Sequence, residues 1–140
     1  MNLLTSEIRE ALLKNTRARL HANALGHPEP DPAPVVRFFN PVGSGTWLAT
    51  EIDEDDILFG LADLGFGCPE LGSFSLRELQ SVRLPLGLGI ERDILFESAV
   101  PLSTYARLAR RTGSILLAEA EIHRRASVPT LGDVEQPPDA

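Results

Sequence analysis

Between Thr5 and Asn23 the apolar positions fall at Ile8, Leu12, Leu13 and Leu20. That spacing predicts an amphipathic helix over residues 6–23. Thr5 or Ser6 serves as its N-cap, and Glu7 and Glu10 suit the positive end of the helix dipole. Residues 27–34, HPEPDPAP, then place a proline at every second position. Each proline holds its predecessor in extended geometry, so this segment reads as a stiff connector. Beyond it the period falls to two. Three short β-rich runs, 35–40, 46–52 and 57–62, are separated by PVGSG and by DEDD, the pattern of an antiparallel meander. Strict alternation in the middle run sets Leu48 and Ile52 on one face and Trp47, Ala49 and Glu51 on the other. In the third run Ile57, Phe59 and Leu61 share a face.

The pattern then loosens. Residues 63–74 contain three glycines and a proline and read as loop, with a brief strand at 72–74. Ser75-Leu76-Arg77-Glu78 is a capping box ahead of a short helix ending near Val82, and 84–89 is a further turn. Residues 90–96, IERDILF, are predicted as a strand with Ile90, Arg92, Ile94 and Phe96 on one side. Pro101-Leu102-Ser103 opens a helix to about Arg111, stopped by Gly113. Residues 114–126 form a second helix by the spacing of Ile115, Ala118, Ile122 and Ala126, with a strand over ILLAEAEI as the competing assignment. The polar segment 127–140 has little to bury and is expected to be a flexible tail. The expected fold class is α+β. One domain over 1–126 has a sheet core at 35–102, packed by the N-terminal helix and by one or two C-terminal helices at 103–126.

Composition narrows the chemistry. At 140 residues the chain has the size of one domain, and 43% hydrophobic residues are ordinary for a globular protein. No run approaches the roughly 20 apolar residues that cross a bilayer, and the acid-containing start does not read as a signal peptide. A single cysteine, Cys68, cannot form an internal disulfide, which suits a reducing cytoplasm. Net charge is −7, but residues 28–100 hold four arginines against thirteen acids, a balance of −9. That middle repels nucleic-acid phosphates and attracts a basic surface. Lys14 is the only lysine, which weighs against Schiff-base chemistry and a phosphate loop.

Candidate sites crowd into 43–56. Gly43-Ser44-Gly45-Thr46 looks like a phosphate loop but leads into a strand-like run without a lysine, so turn chemistry accounts for its glycines. Glu51, Asp53, Glu54, Asp55 and Asp56 invite metal, yet the positions where a calcium loop needs glycine and glutamate are Leu58 and Leu64. Either these acids are a solvated turn, or Mg²⁺ is assembled with distant carboxylates such as Glu70, Glu91 or Asp93. Arg92, placed on an apolar strand face, calls for a carboxylate, with Glu51 and Glu70 as candidates. The pair would be structural or part of a polar pocket formed by Glu70, Glu91, Arg92 and Asp93. His21, His27 and His123 lack metal-ligand spacing, and neither Cys68 nor Ser44 or Ser73 sits in a nucleophile motif. Arg107, Arg110 and Arg111 share a helical face, with Arg124 and Arg125 following. That face is either solvated or a contact for nucleic acid or an acidic partner.

Several runs together resemble a known bacterial family. FFNPVGSGTWLATEID, ILFGLADLGFGCPELGSFSLREL and GLGIERDILFE followed by PLS are similar to domain of unknown function 2958, over roughly residues 3–104. The resemblance implies small stand-alone proteins carried on plasmids and integrative elements beside anti-restriction and partition genes. It supplies no catalytic residues. On it rests the leading expectation: a non-enzymatic, acidic interaction module of a mobile element, with an anti-defence or DNA-mimic role. Its partner would be a protein with a basic surface, met by Glu51 and Asp53 to Asp56 with Trp47 as an aromatic anchor. No cofactor and no bound metal are expected. The rival is a metal-dependent hydrolase using Glu51, Glu70, Glu91 and Asp93. A third reading is DNA binding through the C-terminal arginines.

Overall fold

Thr5, not Ser6, caps the first helix: its hydroxyl oxygen accepts from the Ile8 amide at 3.1 Å, and α1 runs Ser6–Ala24. The computed structural model describes residues 2–127. After the proline-rich connector come β1 (Val36–Phe39), β2 (Thr46–Ile52), β3 (Ile57–Asp63) and β4 (Glu70–Ser75). Then follow α2 (Leu76–Ser81), a 3₁₀ turn at Pro85–Gly87, β5 (Glu91–Arg92), α3 (Leu102–Thr112) and α4 (Ile115–Ser127). All strands pair antiparallel in one sheet of order β4-β3-β2-β1-β5, giving an α+β fold. Helix, not strand, is the state of 115–127. Apart from Ser127, the expected tail lies outside the described residues.

Two segments differ from expectation. The brief strand at 72–74 is six residues long and pairs with β3 in unbroken register. Conversely, the strand expected over 90–96 shrinks to Glu91–Arg92. Asp93 ends it, its side chain accepting from the Leu95 amide at 3.1 Å and its carbonyl from the Phe96 amide at 3.2 Å. Such a side-chain turn competes with the ladder, and it leaves Ile94 and Leu95 exposed.

The sheet is covered on both faces. Leu3, Leu4, Leu12, Val36, Phe38, Trp47, Ala49, Ile52 and Leu58 pack with Leu76 and Leu79 of α2 into one core. Leu48 and Leu61 pack with Tyr105, Leu108, Ile115 and Ala118 of α3 and α4 into the other. Trp47 and Ile52 therefore share a face, contrary to strict alternation. The reason is a β-bulge: Ala49 pairs with Gly60 and Glu51 with Phe59, leaving Thr50 as an extra residue that inverts the remainder of β2. Gly60 permits the bulge, since a Cβ there would lie 1.8 Å from the Leu48 carbonyl oxygen.

α1 covers what β1 leaves open, since β1 pairs with β2 only as far as Val36↔Ala49. Backbone groups freed from the ladder need partners. Asn15 donates to the Thr50 carbonyl at 2.9 Å, and the Thr16 hydroxyl donates to the Ile52 carbonyl at 2.8 Å. Polar side chains thus face the sheet in the second half of α1, and Leu20, expected on the apolar stripe, points to solvent.

Candidate functional site

Because the bulge turns Glu51 away from Trp47, Glu51 projects on the same side as its cross-strand partner Phe59. There it lines a cleft of about 440 Å³. Thr16 and Arg19 of α1, connector residues Glu29 to Pro32 and the start of α3 form its walls. Ile57 and Phe59 of β3 and Leu71 and Ser73 of β4 also line it. The Arg19 Nε donates to both Glu51 oxygens, at 2.9 and 3.1 Å, and the Glu51 side chain is only 11% exposed. Asp31 caps α3 from the connector. Its carboxylate accepts from the Ser103 amide at 3.1 Å and from the Ser103 hydroxyl, while the Leu102 amide donates to the Pro32 carbonyl at 3.0 Å. A carboxylate at a helix N-terminus opposes the dipole charge. The lining carries the carboxylates of Glu29, Asp31, Glu51 and Asp53 against the single guanidinium of Arg19, over an apolar floor at Phe59 and Leu71.

The turn acids next to the cleft divide into two kinds. Asp53 folds the turn: its Oδ1 accepts from the Asp55 and Ile57 amides at 2.8 and 3.0 Å. Asp56 adopts a positive φ of 60° and pairs with Arg9 of α1 at 2.7 Å. Glu54 and Asp55 are exposed, and neither forms a salt bridge among the described residues. They remain available to a partner.

Other predicted residues do not converge. Trp47 is buried in the core under α1, so it is not a surface anchor, and it lies on the opposite face from Glu51. Glu70 is on β4 and Glu91 on β5, the two edges of the sheet. At about 4.8 Å per strand the separation is roughly 19 Å, too far for the two to join a common metal site with Glu51 between them. Among the described residues no group of three or more His, Cys, Asp or Glu side chains is arranged to hold a metal. Arg92 takes neither Glu51 nor Glu70 as its partner. Its guanidinium donates to the Leu3 carbonyl at 2.9 Å, and the side chain is not on a sealed face, since the strand ends beside it.

Arg37 holds the most enclosed ion pair among the described residues, partly buried on both sides. From β1 it donates to both carboxylate oxygens of Glu119 on α4, at 2.7 and 3.0 Å, with Asp93 at 3.7 Å. Its guanidinium carbon lies 5.7 Å from the Phe39 ring centre. Asp63 was equally unforeseen. Buried at the end of β3, it accepts from the Ile115 amide at 2.9 Å and so caps α4 across the chain. Next to Arg37, Tyr105 shares a 2.7 Å hydrogen bond with Ser98. Burial pushes the Tyr105 phenol above its ordinary 10.0, with the Ser98 bond opposing.

Arg107, Arg110 and Arg111 are exposed on α3 and make no ion pair among the described residues. Arg124 and Arg125 instead grip Glu121, at 2.6 and 3.0 Å. Hydrogen bonding from Arg124 first, then Arg125, holds that carboxyl below its ordinary value. Cys68 is an exposed free thiol.

Compared with known proteins, residues 3–116 match the family model described as "Protein of unknown function (DUF2958)". The match takes in α3, beyond the range that the sequence motifs cover. No curated protein and no solved structure matches.

Proposed function

The chain belongs to the DUF2958 family, and on that premise we propose that it is a non-enzymatic interaction module that captures a basic partner in an acidic cleft. The observation that carries this reading is the cleft lining, four carboxylates against one guanidinium around an apolar floor. Charge of one sign raises the local concentration of an opposite partner, and the floor supplies area that binding can desolvate. Glu51, Asp31 and Asp53 already serve the fold through Arg19, Ser103 and the turn amides. They act as a fixed negative field, and Glu29, Glu54 and Asp55 are the exposed acids that a partner meets first. In the mobile-element setting that the family resemblance implies, this field would compete with DNA phosphates for a basic protein surface. That is the anti-defence form of the reading.

The test is the affinity of a fluorescent, blocked octapeptide alternating arginine with valine, followed by anisotropy. Glu29→Gln, Glu54→Gln and Asp55→Asn combined remove three exposed charges without touching a side-chain hydrogen bond among the described residues. At about 0.5 kcal/mol for each exposed charge, affinity should fall roughly tenfold. An unchanged affinity, or equal binding of a glutamate–valine octapeptide, contradicts the proposal.

The exposed arginines of α3 support a second reading, contact with nucleic acid through that helix. Replacing Arg107, Arg110 and Arg111 by glutamine should then abolish a steeply salt-dependent binding of duplex DNA. No such binding by the unaltered protein would end this reading.

A further inference from the structure

We propose that β4 receives an extended basic segment of the partner as a sixth strand, an inference that rests on the acidic-cleft reading and names how the partner enters. An edge strand turns alternate N–H and C=O groups outward. β4 pairs with β3 on one side, and among the described residues no turn, cap or loop backbone hydrogen bond involves Glu70–Ser75. Natural sheets blunt such an edge by brevity, proline, lysine or a bulge. The opposite edge, β5, is two residues long. By contrast, β4 is six residues long, without proline or lysine, and in regular register from Ile57↔Ser75 to Ala62↔Glu70. Leu71 and Ser73 on this strand line the cleft. Alternate side chains of an added strand would extend that wall, the geometry by which sheet edges take up peptides.

Charge selects the occupant. Glu70 begins β4, and the Leu76 amide just past its other end donates to the Asp56 carbonyl at 3.0 Å, so the acidic turn stands at that end. A second copy paired antiparallel through β4 would oppose Glu70 of each chain to the turn acids of the other, with −7 on each molecule. Like charges disfavour that arrangement. A basic strand meets acid at both ends and along the cleft.

Residue-resolved amide exchange of the whole protein, with and without the arginine–valine octapeptide, tests this. Strand addition predicts at least tenfold slower exchange at alternate β4 amides. N-methylation of one alternate set of peptide amides should abolish the protection, and methylation of the other set should leave it. Peptide binding with unchanged β4 exchange overturns strand addition and leaves the acidic cleft standing. Absence of peptide binding even at low salt overturns both. A dimer in sedimentation that protects β4 without peptide, and that peptide does not dissociate, makes a second copy the occupant and overturns the assignment to a basic partner.

Discussion

Replacing Arg37 by methionine removes the guanidinium that joins β1 to α4. Two short hydrogen bonds to Glu119 disappear, and the Glu119 side chain, 14% exposed, keeps its charge without the Arg37 partner. Hydrogen bonds to charged groups contribute about 1.5–3 kcal/mol each, and stranding one member of a fully buried pair costs about 3–5 kcal/mol. Glu119 retains some solvent and methionine replaces part of the lost packing, so Arg37→Met should cost about 3 kcal/mol. That corresponds to a fall of roughly 10 °C in Tm for a chain of this size. Combining it with Glu119→Leu removes the stranded charge, and the double variant should return to within about 1 kcal/mol of the parent. Urea unfolding followed by circular dichroism, with all four corners of the cycle at equal m-value, measures the coupling. A single variant within about 0.5 kcal/mol of the parent, or a double variant as unstable as the sum of the singles, would refute the assignment of this pair as the clamp between sheet and α4.

Three further outcomes follow from the geometry. Gly60→Ala drives a methyl group into the Leu48 carbonyl and should cost about 3–5 kcal/mol through lost ladder bonds and overpacking, read as a lowered urea midpoint. Asp53→Ala should cost about 1–2 kcal/mol because two turn amides lose their acceptor, whereas Glu54→Gln with Asp55→Asn should leave the melting temperature unchanged. Tyr105 has a folded pKa above 10.0, so the native state holds its proton longer than the unfolded chain. Its contribution is complete below pH 10.0 and is lost as pH rises through the folded value. Tyr105→Phe should remove that alkaline component of the stability profile, and an unaltered slope above pH 10.0 would contradict it.

Much of the fold was legible because its signals are local. The bounds of β2, the turn acids, the Thr5 and Ser75 caps and the Gly113 stop are all written within a few residues. What escaped was decided by distant partners. The bulge at Thr50 depends on Gly60 across the sheet, and one inserted residue separated Trp47 from Glu51 and reunited Trp47 with Ile52. The principle that an arginine on a packed face needs a carboxylate held, but at Arg37, whose partner Glu119 is 82 residues away. Asp31 and Asp63 cap helices from 72 and 52 residues away, so a search for caps next to each helix passes over them. The acidic field was visible as composition. Its apolar floor needed Phe59, Leu71 and the connector to be brought together by the fold.

The most direct measurement is chemical-shift mapping of the isotope-labelled protein titrated with the arginine–valine octapeptide at stepped salt. Saturable shifts are expected at Glu54, Asp55, Phe59, Leu71 and Ser73, weakening as salt screens the acids, with Arg107, Arg110 and Arg111 unmoved. Shifts confined to Arg107, Arg110 and Arg111, or none in the cleft at any salt, would contradict the acidic-cleft reading.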